Sequence, residues 1–215
     1  MKKLIAMMAV SAMMMTMFVG CGKKTPAPTT EATTEATTEA TTEPVMEETT
    51  DETQAPAVSG SGALEVLNKI WSGVPEGDRF PVMGGDSANA NFEAPADFDL
   101  NAKEDASYML LIPEEQLSSI DAAATAIHAM NANTFTGAVY HMAEGADLTA
   151  FAGAMKEAIL GNQWMCGFPD ELKIANIGGE YAVVFFGKTQ QVTAFETALL
   201  AAYADAEVLF TESLV

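Results

Sequence analysis

Leu172-Lys173-Ile174-Ala175-Asn176-Ile177 and Tyr181-Ala182-Val183-Val184-Phe185-Phe186 flank the pair Gly178-Gly179. Both apolar runs are rich in β-branched and aromatic residues, and each is as long as a typical strand. Glycine tolerates positive φ at both central positions of a two-residue turn, so the segment reads as an antiparallel hairpin. Helical patterns lie on either side of it. Before it, Asp147 stands ready to cap a helix in which Leu148, Phe151, Met155 and Ile159 recur at helical spacing, and Gly161 ends it. After it, Thr189 is a candidate cap for a helix carrying Val192, Phe195, Leu199 and Tyr203 on one side. Glu207-Val208-Leu209-Phe210 can close the sheet as a last strand.

Further upstream the pattern is less decisive. Residues 121–130 are alanine-rich, which favours helix, yet Asn131-Ala132-Asn133 is a turn signal and Thr134 to Met142 reads as a strand. A hairpin of 122–130 with 134–142 fits best; a helix leading into one strand is the alternative. Asn101-Ala102-Lys103-Glu104 resembles a capping box opening a short helix to Leu110, and Pro113 opens a turn through Leu117. Residues 74–100 read as irregular. Ser61 can cap a first helix bearing Leu64, Val66, Leu67, Ile70 and Trp71, which Gly73 and Pro75 end. The order predicts an α+β fold, a single domain over 62–215 with antiparallel strands and helices packed on one face of the sheet.

The N-terminus is of another kind. Lys2 and Lys3 precede an apolar run from Leu4 to Val19, then Phe18-Val19-Gly20-Cys21 and Gly22-Lys23-Lys24. The run is about 16 residues, short of the roughly 20 that span a bilayer, and the layout is that of a secretory signal. Cysteine after the small residues resembles a bacterial lipobox. It implies a signal peptide at 1–20, lipid attachment at Cys21, and a membrane-anchored address on the extracytoplasmic face of the cell membrane. Acyl chains contribute about 0.8 kcal/mol per buried CH₂, so two or three of them anchor a protein firmly.

Residues 21–61 then form a tether. Thr29-Thr30-Glu31-Ala32 begins a four-residue unit that recurs to Thr41-Thr42-Glu43-Pro44, and large apolar residues are nearly absent. Nothing there offsets the entropy of ordering, so the stretch reads as a disordered linker with a span of roughly 35 Å. The whole chain carries 10 Lys+Arg against 30 Asp+Glu, a net charge of −20. Loss of Lys2 and Lys3 with the signal makes it more negative still. An acidic field of this size repels phosphate backbones and excludes nucleic acid as a partner.

Three strings in the globular part carry a resemblance: Phe80-Pro81-Val82-Met83-Gly84-Gly85-Asp86, Met130-Asn131-Ala132-Asn133-Thr134-Phe135-Thr136-Gly137 and Trp164-Met165-Cys166-Gly167-Phe168-Pro169. They look like a family of small Clostridia-type lipoproteins often labelled bacteriocin transport accessory protein. The layout after residue 108 is similar to an uncharacterised lipoprotein family, a domain of unknown function. The resemblance implies an envelope or transporter protein as partner; it attaches no catalytic or binding role to any residue. Some proteins with that label resemble thioredoxin, whose exchange chemistry needs Cys-x-x-Cys. With Cys21 assigned to lipid, Cys166 stands alone and dithiol chemistry within the chain is excluded.

Other chemistry is sparse. Cys166 with His128 or His141 would supply a thiol and a base, but no short motif links them. Pairing 130 with 134 in the hairpin puts His128 opposite Thr136 and His141 near Ala123, so the two imidazoles face opposite sides of the sheet and share no metal. Asp97-x-Asp99-x-Asn101 opens like a calcium loop, yet Ala102 stands where glycine is required and Tyr108 where glutamate is, leaving only looser calcium binding by 86–105. Met83-Gly84-Gly85-Asp86 lacks the Lys-Ser/Thr of a phosphate cradle. No cofactor motif and no catalytic constellation emerges. The loop of Trp164, Met165, Cys166 and Phe168 either plugs the core or presents an anchor to a partner. The expected function is a non-enzymatic domain displayed on a lipid anchor for a protein or envelope partner. An enzyme or ligand-binding domain using Cys166 or an acidic calcium loop is the alternative. A solute-binding role is disfavoured, because one short domain cannot close over a ligand as two lobes do.

Overall fold

The computed structural model describes residues 61–215. The signal segment, Cys21 and the tether through residue 60 lie outside the described residues. The elements run α1 (Gly62–Gly73), β1 (Val82–Met83), β2 (Ala96–Phe98), α2 (Lys103–Met109), β3 (Ile120–His128), β4 (Phe135–Met142), α3 (Leu148–Leu160), β5 (Glu171–Ile177), β6 (Tyr181–Gly187), α4 (Thr189–Ala202) and β7 (Ala206–Ser213), with 3₁₀ turns at Glu76–Asp78 and Glu114–Ser119. No helix among the described residues is long and apolar enough to cross a membrane.

The fold is α+β. Seven strands form one antiparallel sheet in the order β1-β3-β4-β6-β5-β7, with β2 also paired to β3. The expected hairpins form the centre. Gly178 and Gly179 both take positive φ, 61° and 78°, as the turn requires. Pairing resumes one residue later than expected, at Ile177 with Tyr181, so Glu180 lengthens the connection. Residues 120–128 are strand and 129–130 belong to the turn: pairing on both edges of β3 overrides the helical propensity of alanine. Within the irregular stretch 74–100, β1 and β2 cap the free edge of β3.

The helices do not share one face. Phe151, Ala152, Met155 and Ile159 of α3 pack with Tyr140, Ile174, Val184 and Phe186, joined by Ala106 and Leu110 from α2 and its C-terminal end. Leu67 and Ile70 of α1 and Val192, Phe195 and Leu199 of α4 pack on the other side against Phe135, Val139, Val183 and Phe185. Even-numbered residues of β4, β5 and β6 therefore face α2 and α3, odd-numbered ones face α1 and α4, and both layers are apolar. The expectation of one covered face is corrected to helices on both.

Two caps are also corrected. The α2 N-cap is Ala102, with no side-chain bond, and Asn101 instead donates to Asp99. The α4 N-cap is Lys188; the amide of Thr189 is capped from a distance by Asp170, whose carboxylate accepts from Thr189 N at 3.2 Å and from Lys188 Nζ at 2.8 Å. Those bonds, the one from Lys188 first, hold the Asp170 carboxyl below the usual carboxylate range. Ser61 and Asp147 cap α1 and α3 as expected.

Candidate functional site

The three strings singled out in the sequence meet at one end of the sheet. In β1, Val82 and Met83 pair with His128 and Ile127, next to the β3–β4 turn. That turn reaches across to the loop between α3 and β5. Asn131 Nδ2 donates to Cys166 O at 3.2 Å, and Asn133 Nδ2 donates to Met165 O at 2.8 Å and Gly167 O at 3.0 Å. Asn131 Oδ1 in turn accepts from Asn133 N at 2.9 Å, so the two amides hold one geometry. Asparagine suits this place because it bonds its own turn and still has donors for a second chain segment.

Clamped in this way, the loop walls a groove of about 540 Å³ on the α2 side of the sheet. Met83, Tyr108, Leu111, Trp164, Met165 and Phe186 supply its apolar lining. Thr136, Asn133 and Gln163 supply polar groups, and none of its lining residues is Asp, Glu, Lys, Arg, His or Cys. Its size is within the range of sites that take a small ligand or a few side chains.

The Trp164 loop has one packed side chain and two exposed apolar ones. Trp164 packs at the edge of the core, its ring 5.3 Å from that of Phe186. Met165 and Phe168 are 78% and 57% exposed, and Tyr108 and Met130, nearby in the fold, are 85% and 82% exposed. Of these four, Tyr108 and Met165 line the groove.

Two residues other than glycine take positive φ among the described residues, Leu111 at 57° and Cys166 at 62°. Each such conformation costs about 1–2 kcal/mol. Leu111 follows α2 where glycine is usual. Leu110 and Ile112 on either side of it are buried, which turns Leu111 toward the groove. Cys166 is held by the asparagine clamp. Strained backbone that the surroundings enforce is characteristic of ligand-contact sites.

The remaining sequence candidates have other partners. The histidine placement is corrected. Ala126 pairs with Gly137 and Ala122 with His141, a register shifted by one residue from the expected one, and such a shift reverses every side chain. Both histidines therefore lie on the α1/α4 face. They are six residue positions apart along the hairpin, roughly 20 Å, and still share no site. His128 stacks on Phe80, and its Nδ1 accepts from Met130 N at 3.2 Å; His141 Nδ1 bonds Asp121 and packs on Tyr181. Neither bonds Cys166. Asp97 accepts from Ser61, and Asp99 accepts from the Asn101 amide and side chain, so these carboxylates serve a helix start and a turn. No cluster of three metal-ligating side chains occurs among the described residues.

Cys166 is exposed. A thiol reagent should label it in the native protein within minutes and without denaturant, read by mass spectrometry. Labelling only after unfolding would contradict its placement.

Comparison with protein-family models, curated proteins and solved structures gives no match. The reading of the site rests on its own geometry. Tyr108, Leu111 and Phe186 carry no site signal in the sequence, because only the chain path brings them to the loop.

Proposed function

We propose that this is a membrane-anchored extracytoplasmic lipoprotein, acylated at Cys21, whose α+β domain binds a protein or envelope partner through the groove beside the Trp164 loop. A transport-accessory role is compatible with that arrangement. The observation that carries the proposal is the pair of enforced left-handed residues, Leu111 and Cys166, beside a groove lined by apolar side chains and amides. That lining has shape and hydrogen-bonding capacity but no charged acid or base to move protons, which supports binding rather than catalysis.

A photo-crosslinking residue placed at Met165 in cells should trap one envelope protein, and a second placed at Leu200, exposed on α4, should not trap it. Tyr108→Ala should reduce trapping about tenfold while moving Tm by no more than about 2 °C, as expected for an exposed side chain. Equal trapping from Met165 and Leu200 would reject the groove. Mass spectrometry of the protein from its host should show acyl mass on Cys21; a mature start without it would reject the anchor.

A further inference from the structure

We infer that the groove takes a cationic peptide segment bearing an apolar anchor side chain; this rests on the binding role proposed for the groove. Charge selects the occupant. The chain carries 30 Asp+Glu against 10 Lys+Arg. The cations of the described residues other than Lys103 are committed to partners outside the groove lining. Lys69 sits over the Tyr203 ring, Arg79 donates to the carbonyls of Ser72 and Val74, Lys156 pairs with Glu157, Lys173 with Glu196 and Lys188 with Asp170. None of these lines the groove, and Lys103 lies in the depression beside it. It is on α2, and its contact with Glu114 is 4.0 Å long and well exposed, so it contributes little.

The acidic side of this imbalance reaches the groove rim. Ser107 lines both the groove and a shallower depression beside it, whose other residues include Lys103, Glu104 and Glu114. Glu104 is one helical turn before Tyr108, so the two side chains are neighbours on α2. No lysine or arginine of the described residues is within salt-bridge distance of Glu104. A segment that places an aliphatic or aromatic side chain between Tyr108 and Met165 therefore passes Ser107 into a place where a Lys or Arg meets two carboxylates.

The same charge disfavours other occupants. A second copy brings its own large excess of Asp and Glu, so like charges meet. The chain's own tether has one large apolar pair, Val45-Met46, and it is flanked by Glu43, Glu47 and Glu48.

The test uses the chain from residue 21 onward with Cys21→Ser, labelled at its methionine methyl groups, and three twelve-residue peptides: Lys/Leu/Phe, its Glu-for-Lys counterpart, and a Lys/Ser peptide. Met83, Met109 and Met165 line the groove, while Met142 and Met155 are buried in the core. The Lys/Leu/Phe peptide should shift the three groove methyls and not the core pair. At low salt it should bind about tenfold or more tightly than the Glu/Leu/Phe peptide, an advantage that shrinks at high salt. Glu104→Gln with Glu114→Gln should remove most of that advantage and leave the apolar contact.

Equal binding of the Lys and Glu peptides at the groove would overturn the cationic partner and leave groove binding standing. No shift at the groove methyls with any peptide would overturn both. Equal affinity for the Lys/Ser peptide would reduce the effect to general attraction by an acidic surface and overturn the proposal.

Discussion

Phe151→Ala and Phe195→Ala, made separately, should each lower the unfolding free energy by about 3–5 kcal/mol in urea denaturation. The two rings lie on opposite sides of the sheet. Phe151 on α3 is fully buried with its ring 5.3 Å from Tyr140. Phe195 on α4 is 5.1 Å from Phe135 and 5.0 Å from Phe185. Each truncation removes aromatic area from a packed layer and leaves a cavity that rigid strands close poorly. The sheet separates the sites, so the double variant should lose nearly the sum of the two. A cost below about 1 kcal/mol at either position would mean that one helical layer is not a true core.

Two covered faces are legible in the run from Tyr181 to Phe186. A half-buried strand alternates apolar and polar residues, whereas this run is apolar without interruption, and all but its first residue are buried. Antiparallel hairpins usually leave one face wet, and here the uninterrupted apolar run overrides that tendency. The caps were legible where the side chain bonds its own helix, as at Ser61 and Asp147. At α4 the acceptor is Asp170, nineteen positions before Thr189, and no local window contains it.

The hairpin at 120–142 shows how far sequence reading extends. Its turn was visible from Asn131 and Asn133, but its register was not, because several alanines and Gly137 fit either face. One residue of register decided which way both histidines point. The groove was legible in pieces. Each of its three strings stood out for composition, and the asparagines looked like turn residues only. Their side-chain amides spend donors on the loop of Trp164, and that use depends on the β3–β4 turn coming beside the α3–β5 connection. Tyr108 enters the sequence reading only as a mismatch to a calcium loop, since a lone tyrosine on a short helix reads as ordinary packing.

Asp86→Ala should cost on the order of 3 kcal/mol, because it strips a buried acceptor from several part-buried donors at once. Asp86 is 1% exposed. Its carboxylate accepts from Ala88 N at 2.9 Å, Asn89 N at 3.1 Å, Asn89 Nδ2 at 3.1 Å and Asp99 N at 3.2 Å. Burial by itself pushes the carboxyl upward, but the bonds from Asn89, Asp99 and Ala88 together outweigh it, so the group is held below its ordinary value of 3.8. A depressed folded value means that the unfolded chain takes up the proton first. The stabilisation is therefore complete above about pH 4 and is lost as pH falls through the folded value. Wild type should lose Tm steeply below about pH 4, and Asp86→Asn, already less stable at neutral pH, should lose less over the same interval. The other carboxylates are common to both proteins, so the difference between the curves isolates this one. Parallel curves from pH 7 to about pH 3 would show that Asp86 does not carry the depressed value. The effect extends to the groove, because Asp86 fixes the loop beside Gly85, whose amide donates to Thr125 Oγ1 at 2.8 Å, and Met83 is two residues before it. Asp86→Ala should therefore weaken peptide binding at Met83 as well as stability, whereas Tyr108→Ala should weaken binding alone.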